Sequence, residues 1–265
     1  MLLTKDFLDE RLVPELEGGT VQYFDHMRRY LFAQQYVANK RVLDLACGTG
    51  YGSELITRGG AQRVIAFDID PATLHYAKKH WHRKAPAIHF GQADASRIPL
   101  PSQSVDILVS FETIEHLPSP QLFLTEVKRL LVPNGKFIVS TPNRTVSSPG
   151  STTPFSPYHS FEPNLAEFLA LFESVGWHLD AIHGIEHSRR AQALIRPTSA
   201  AFIRQPSRIA WTAYIRDAVR KLMPPLFYGW LNQYRTIPQL DITDSILSDV
   251  DSDHSAYFVA VWSLQ

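Results

Sequence analysis

Apolar residues in this 265-residue chain follow two alternating patterns: short aliphatic and β-branched runs, and longer stretches with apolar positions three and four apart. Runs at 41–46, 63–67, 87–91, 105–111, 136–140 and 177–182 read as strands, and a last one at 257–262 lies close to the C-terminus. Helical spacing marks 20–39 (Tyr23, Met27, Tyr30, Leu31, Val37), 51–59, 71–84, 120–131 and 163–175 (Leu165, Phe168, Leu169, Phe172). Pro71 after Asp70 and Pro120 after Ser119 suit helix starts, and Pro133-Asn134-Gly135 suits a turn. Strands that are apolar nearly throughout and alternate with helices imply an α/β, doubly wound, seven-stranded and mostly parallel sheet. The Pro-, Ser- and Thr-rich segment 141–160 is expected to form a long loop at the carboxyl edge of the fifth strand, where such sheets bind ligands.

Composition narrows the functional classes. A hydrophobic fraction of 45% supports a packed core. Lys and Arg number 26 and Asp and Glu 26, so no global field favours DNA or an anionic membrane. The single cysteine, Cys47, cannot form an internal disulfide, and Met1-Leu2-Leu3-Thr4-Lys5-Asp6 lacks the apolar stretch of a signal peptide. A cytoplasmic location is expected, with membrane contact at most peripheral.

The first strand runs into Asp44-Leu45-Ala46-Cys47-Gly48-Thr49-Gly50, a glycine turn that opens a helix and exposes backbone N–H groups to a ligand. About 20 residues on, the second strand ends at Asp68, whose carboxylate can take two hydrogen bonds from a ribose diol. A strand-end Asp capping the next helix is the plainer alternative. Asp94-Ala95 follows the third strand, where an ordinary turn acid is again the alternative. Leu130-Leu131-Val132-Pro133-Asn134-Gly135-Lys136 precedes the fifth strand. Over residues 20–183 and the final strand, these four motifs resemble those of class I S-adenosylmethionine-dependent methyltransferases, which have a Rossmann-like fold. The resemblance implies S-adenosylmethionine as cofactor, held by Asp44, Ala46, Gly48, Gly50, Asp68, Ile69, Asp94, Ala95 and Phe111. Ala46 stands where that family often has glycine. The first turn lacks the G-x-G-x-x-G spacing of nicotinamide enzymes.

Phe111-Glu112-Thr113-Ile114-Glu115-His116 follows the fourth strand; in a helical turn Glu112, Glu115 and His116 would share a face. His159, in Tyr158-His159-Ser160-Phe161-Glu162, lies on the loop at the same sheet edge. Two carboxylates and two imidazoles form a candidate site for a divalent metal, suiting Mn, Fe, Co or Zn better than Mg. These segments resemble the Glu-x-x-Glu-His and His-x-Phe-Glu motifs of small-RNA 3′-terminal 2′-O-methyltransferases. Ser140-Thr141-Pro142-Asn143-Arg144-Thr145 is similar to ubiquinone-pathway O-methyltransferases and to sugar-modifying methyltransferases of glycan pathways. Without a metal, His116 or His159 would serve as general base, or His159 would simply pair with Glu162.

Residues 184–250 form an expected insertion before the last strand, basic from Gly184 to Arg235 and aromatic through Phe202, Trp211, Tyr214, Phe227, Tyr228 and Trp230. Its pattern allows two short helices split at Pro224-Pro225, either covering the core, closing over an acceptor or touching a membrane surface. The whole chain is expected to be one methyltransferase domain (1–265), with a cofactor-binding core at 20–183 and the final strand at 255–263. The expected reaction is O-methylation of a small-molecule hydroxyl, first a sugar or glycan intermediate and second a phenolic or quinone-pathway compound. C- or N-methylation and a non-catalytic S-adenosylmethionine-binding partner protein are the alternatives. RNA is disfavoured, since no separate RNA-binding module is visible.

Overall fold

The structure, a computed structural model, describes Leu12 and residues 20–81, 83–154, 156, 158–195, 240–251 and 253–264. The chain divides into two compact units, the larger within His26–Glu186 and Leu247–Gln265 and the smaller within Met1–Asp25 and His187–Ile246. In the smaller unit the buried Asp25 carboxylate accepts a hydrogen bond from Ser245 (2.8 Å) and pairs with His187 (3.0 Å).

The elements follow the apolar pattern closely. Helix α1 (Val21–Val37) precedes strand β1 (Arg41–Leu45); α2 (Tyr51–Arg58), β2 (Arg63–Asp68), α3 (Pro71–Trp81) and β3 (Ile88–Gln92) complete the first half. The second half contains β4 (Val105–Phe111), α4 (Pro120–Leu130), β5 (Leu131–Pro142), the short α5 (Arg144–Ser147), α6 (Leu165–Ser174) and β6 (His178–His187). After α7 (Arg189–Ile195), the described chain resumes with β7 (Ser245–Asp249) and ends on β8 (Tyr257–Ser263). One sheet has the order β3-β2-β1-β4-β5-β8-β6-β7. Strands β3, β2, β1, β4 and β5 pair in parallel, and β8 runs antiparallel to both β5 and β6.

Eight strands replace the expected seven. The added strand, β7, uses Ser245–Asp249 from a stretch read as insertion. On a sheet edge, with Ser245 its one fully buried residue, it gives a much weaker apolar signal than a central strand does. Pro133-Asn134-Gly135 turns within β5 rather than before it: Asn134 has φ 64° and the register with β4 slips between Leu131 and Lys136. The expected loop at 141–160 contains α5, with Asn143 accepting a hydrogen bond from Thr145 N–H (3.1 Å) as its N-cap. The paired helices expected around Pro224-Pro225 lie outside the described residues.

Buried aromatic rings join α6 to the sheet. Phe172 stacks on Trp262 with centroids 4.4 Å apart, and Phe137 and Phe168 close the same cluster. Asn164 and Glu167 start α6 with a reciprocal capping box. No helix among the described residues is long and apolar enough to cross a membrane. Chain order reverses between β1 and β4, which makes their carboxyl ends the switch point where doubly wound sheets bind ligands.

Candidate active site

The turn after β1 is left-handed at three residues, Ala46 (φ 61°), Gly48 (φ 54°) and Gly50 (φ 80°). A Cβ on Gly50 would lie 2.9 Å from the Phe90 ring, so this position needs glycine for both conformation and space. Beside Gly48 a Cβ would meet nothing within 4 Å, which leaves the backbone open to a ligand. Gly52 has a packing reason instead: a Cβ there would fall 1.9 Å from the Tyr30 ring of α1.

Asp44 braces the turn from beneath. Its fully buried carboxylate accepts hydrogen bonds from Ser53 (2.5 Å) and Tyr30 (3.3 Å), and burial pushes it up to about 7. Both of its oxygens are therefore engaged by the fold itself. Phe111, at the end of β4, is buried and meets Tyr30 edge-on at 4.9 Å.

Asp68 is buried at the end of β2, with Gly48 N–H donating to one oxygen (2.9 Å) and Asp70 N–H to the other (2.9 Å). A carboxylate has about four acceptor positions, so two remain for the two hydroxyls of a ribose. Ile69 stands 60% exposed beside it, an apolar surface suited to an adenine face. Asp94 is exposed and accepts hydrogen bonds from Ser96 N–H and Oγ, and these hold its carboxyl below the usual range. Both readings of Asp94 stay compatible with that turn. Ala95 is half-buried next to it.

Across the switch point Glu112, Glu115 and His116 do not share one helical face. Glu112 takes a left-handed backbone (φ 51°) and precedes a short 3₁₀ turn, Ile114–His116. Its carboxylate accepts a hydrogen bond from Ser140 (2.7 Å) and pairs with the fully buried Arg29 of α1 (3.3 Å). Arg29 also stacks on the Tyr257 ring at 4.2 Å. Glu112 thus leaves the expected four-residue cluster, because a buried guanidinium and the reversed backbone turn it elsewhere.

Glu115, His116 and His159 do come together, each offering one ligand atom within 4.8 Å of the others. Glu115 is fully buried; Thr141 donates to one oxygen (3.2 Å), while Oε1 has no hydrogen-bond partner. Burial first, and the Glu112 carboxylate second, push Glu115 well above the usual carboxylate range. His116 Nδ1 lies 3.2 Å from the Tyr158 carbonyl, which can only accept, so Nδ1 is the donor. The His116 and His159 rings meet edge-on at 4.8 Å.

The loop bearing His159 is tied to the turn bearing Glu115. Ser160 N–H and Phe161 N–H both donate to the Glu115 carbonyl, at 2.7 and 3.3 Å, and Ser160 Oγ donates to the His116 carbonyl. Sequence reading passed over Arg29, Tyr30 and Thr141. Tyr30 read as one apolar position of the first helix, Thr141 as part of the motif that opens the loop after the fifth strand, and Arg29 gave no pattern that marks a buried arginine.

A family model described as "Methyltransferase domain" matches residues 43–139, from β1 through most of β5. A probable S-adenosylmethionine-dependent methyltransferase of Mycolicibacterium smegmatis is 37% identical over 178 residues, 67% of this chain and 67% of its own length. A ubiquinone biosynthesis O-methyltransferase of Azorhizobium caulinodans is 32% identical over 128 residues, 48% of this chain and 49% of that protein. Among solved structures, an S-adenosylmethionine-dependent methyltransferase of Thermotoga maritima superposes with a TM-score of 0.56 at 13% identity, covering 92% of each chain. That likeness concerns the fold.

Proposed function

Because the chain belongs to the class I S-adenosylmethionine-dependent methyltransferases, we propose that it moves the cofactor's methyl group to a hydroxyl oxygen of a small molecule in the cytoplasm. A sugar or glycan intermediate is the first acceptor class. The observation that carries the reading is the meeting of Glu115, His116 and His159 at the carboxyl edge of the sheet, beyond the end of the strand that pairs with β1 and its glycine turn.

In this reading Asp68 holds the ribose, Ile69 and the Asp94-Ala95 pair receive the adenine, and the turn at Gly48 and Gly50 lies along the methionine portion. His159 Nε2 accepts the acceptor's hydroxyl proton as the oxygen–methyl bond forms and the carbon–sulfur bond breaks, leaving S-adenosylhomocysteine. Holding oxygen, methyl carbon and sulfur in line supplies much of the rate. Glu115, His116 and His159 also fit a divalent cation: one buried carboxylate oxygen lacks a partner, and imidazole with carboxylate suits Mn, Fe, Co or Zn. Such an ion would bind neighbouring hydroxyls of the acceptor and make one more acidic. Glu112, held by Arg29 and Ser140, supports the turn from outside that set.

A phenolic or quinone-pathway acceptor is the second reading, favoured by the matched half of the Azorhizobium relative. Calorimetric titration of metal-stripped protein with S-adenosylhomocysteine, then with Mn²⁺, tests both parts. Cofactor binding weakened about 10–100-fold by Asp68→Ala, with a separate Mn²⁺ event lost in Glu115→Ala, supports the metal-assisted form. Binding without the Mn²⁺ event leaves the histidine base alone, and no cofactor binding overturns the proposal.

A further inference from the structure

Behind His159 stands Glu162, which the sequence offered only as a simple pairing partner for that histidine. Glu162 is 2% exposed on its side chain, and its Oε1 lies 2.5 Å from His159 Nδ1. Its other oxygen accepts from the hydroxyls of Ser147 (2.5 Å) and Ser148 (3.3 Å), at the end of α5. Backbone contacts fix the same stretch: Arg144 Nη1 donates to the Glu162 carbonyl (3.2 Å) and Arg144 N–H to the Pro163 carbonyl (3.1 Å). The carboxylate therefore has little freedom to turn away from the ring.

We propose that Glu162 is a positioning residue that holds the proton of neutral His159 on Nδ1 and so presents Nε2, unprotonated, to the acceptor side. The argument is one of donors and acceptors. Ionised Glu162 can only accept, so the ring nitrogen facing it must donate, and a neutral imidazole has a single N–H. The nitrogen left with its lone pair is Nε2. Ser147 and Ser148 fill the other carboxylate oxygen, which keeps Oε1 as the one aimed at the ring. Buried carboxylates behind functional histidines work in this way, setting tautomer and ring plane together. This inference rests on the reading of His159 as the group facing the acceptor, but its structural content can be tested without cofactor or acceptor.

Imidazole ¹⁵N shifts of the full-length protein, with the His159 signals assigned through His159→Gln, report which nitrogen carries the proton. In the neutral ring, wild-type His159 is expected as the Nδ1–H form. Glu162→Gln keeps size and burial but offers either an acceptor or a donor to Nδ1, so a mixture of the two tautomers is expected. An Nε2–H ring in the wild type overturns the proposal; so does a pure Nδ1–H form retained in Glu162→Gln. The wild-type spectrum decides even if the variant folds poorly. Calorimetry with S-adenosylhomocysteine separates the two levels: lost cofactor binding with the Nδ1–H form intact would sink the methyltransferase reading alone.

Discussion

The two sides of the switch point are built on different principles. On the proposed cofactor side, the turn after β1 is contiguous in sequence, and its shape comes from backbone conformations at Ala46, Gly48 and Gly50. On the proposed acceptor side, Glu115 and His116 follow β4 while the loop of His159 arrives from more than 40 residues on, held by hydrogen bonds to the Glu115 and His116 carbonyls. Each side carries one non-glycine residue in a left-handed backbone, Ala46 at φ 61° and Glu112 at φ 51°. At Ala46 no polar side chain compensates. At Glu112 the side chain answers a buried arginine, so the strain has a counterpart.

The largest expected effect separates the two sides by function. His159→Ala is predicted to reduce methyl transfer by about 100–10,000-fold, the range for loss of a general base, while S-adenosylhomocysteine binding by calorimetry stays at the wild-type level. Activity close to wild type would remove His159 from the chemistry whether it acts as base or ligand.

A second test concerns Asp44 beneath the turn. Burial raises it from the ordinary 3.8 to about 7 in the folded protein, so between those values the unfolded chain releases this proton first. Stability from this group is then fully present below about pH 4 and lost as pH rises toward 7. Asp44→Asn is predicted to remove that decline, worth on the order of 4 kcal/mol at most. Urea unfolding from pH 4 to 8 measures it; parallel curves for the two proteins would mean that Asp44 ionises normally.

The strained pair gives the smallest effect and the sharpest contrast. Ala46→Gly is predicted to stabilise by about 0.5–1 kcal/mol, because relief of the left-handed strain exceeds the added entropy of the unfolded chain. Glu112→Gly relieves the same strain yet strips a buried guanidinium of its carboxylate, and a loss of about 3 kcal/mol is expected. Opposite signs in denaturant melts would establish the comparison, and equal signs would refute it.

Much of this was legible because it is local. The parallel strands announce themselves as apolar runs, and Gly48, Gly50 and Asp68 occur at spacings set by one strand-turn-helix unit. Other features were hidden by their nature. The edge strand β7 buries too little surface to stand out. Glu112 reads as a helical partner of Glu115, since nothing in the letters reveals a positive φ. Arg29 resembles any helix-surface cation until α1 is packed against Tyr257 and Glu112. Glu162 could be seen as a neighbour of His159, but its two serine anchors only become apparent once α5 has formed.

By itself the sequence determined the α/β class, the parallel core, the glycine turn and the acid that follows it, because periodicity and turn chemistry act over a few residues. The tertiary structure alone decided which side chains meet: that Asp44 lies beneath the turn, that Glu112 goes to Arg29, and that Glu115, His116 and His159 converge. Those outcomes depend on registers between strands and on loops returning to one sheet edge, where contacts between distant residues, rather than spacing along the chain, set the geometry.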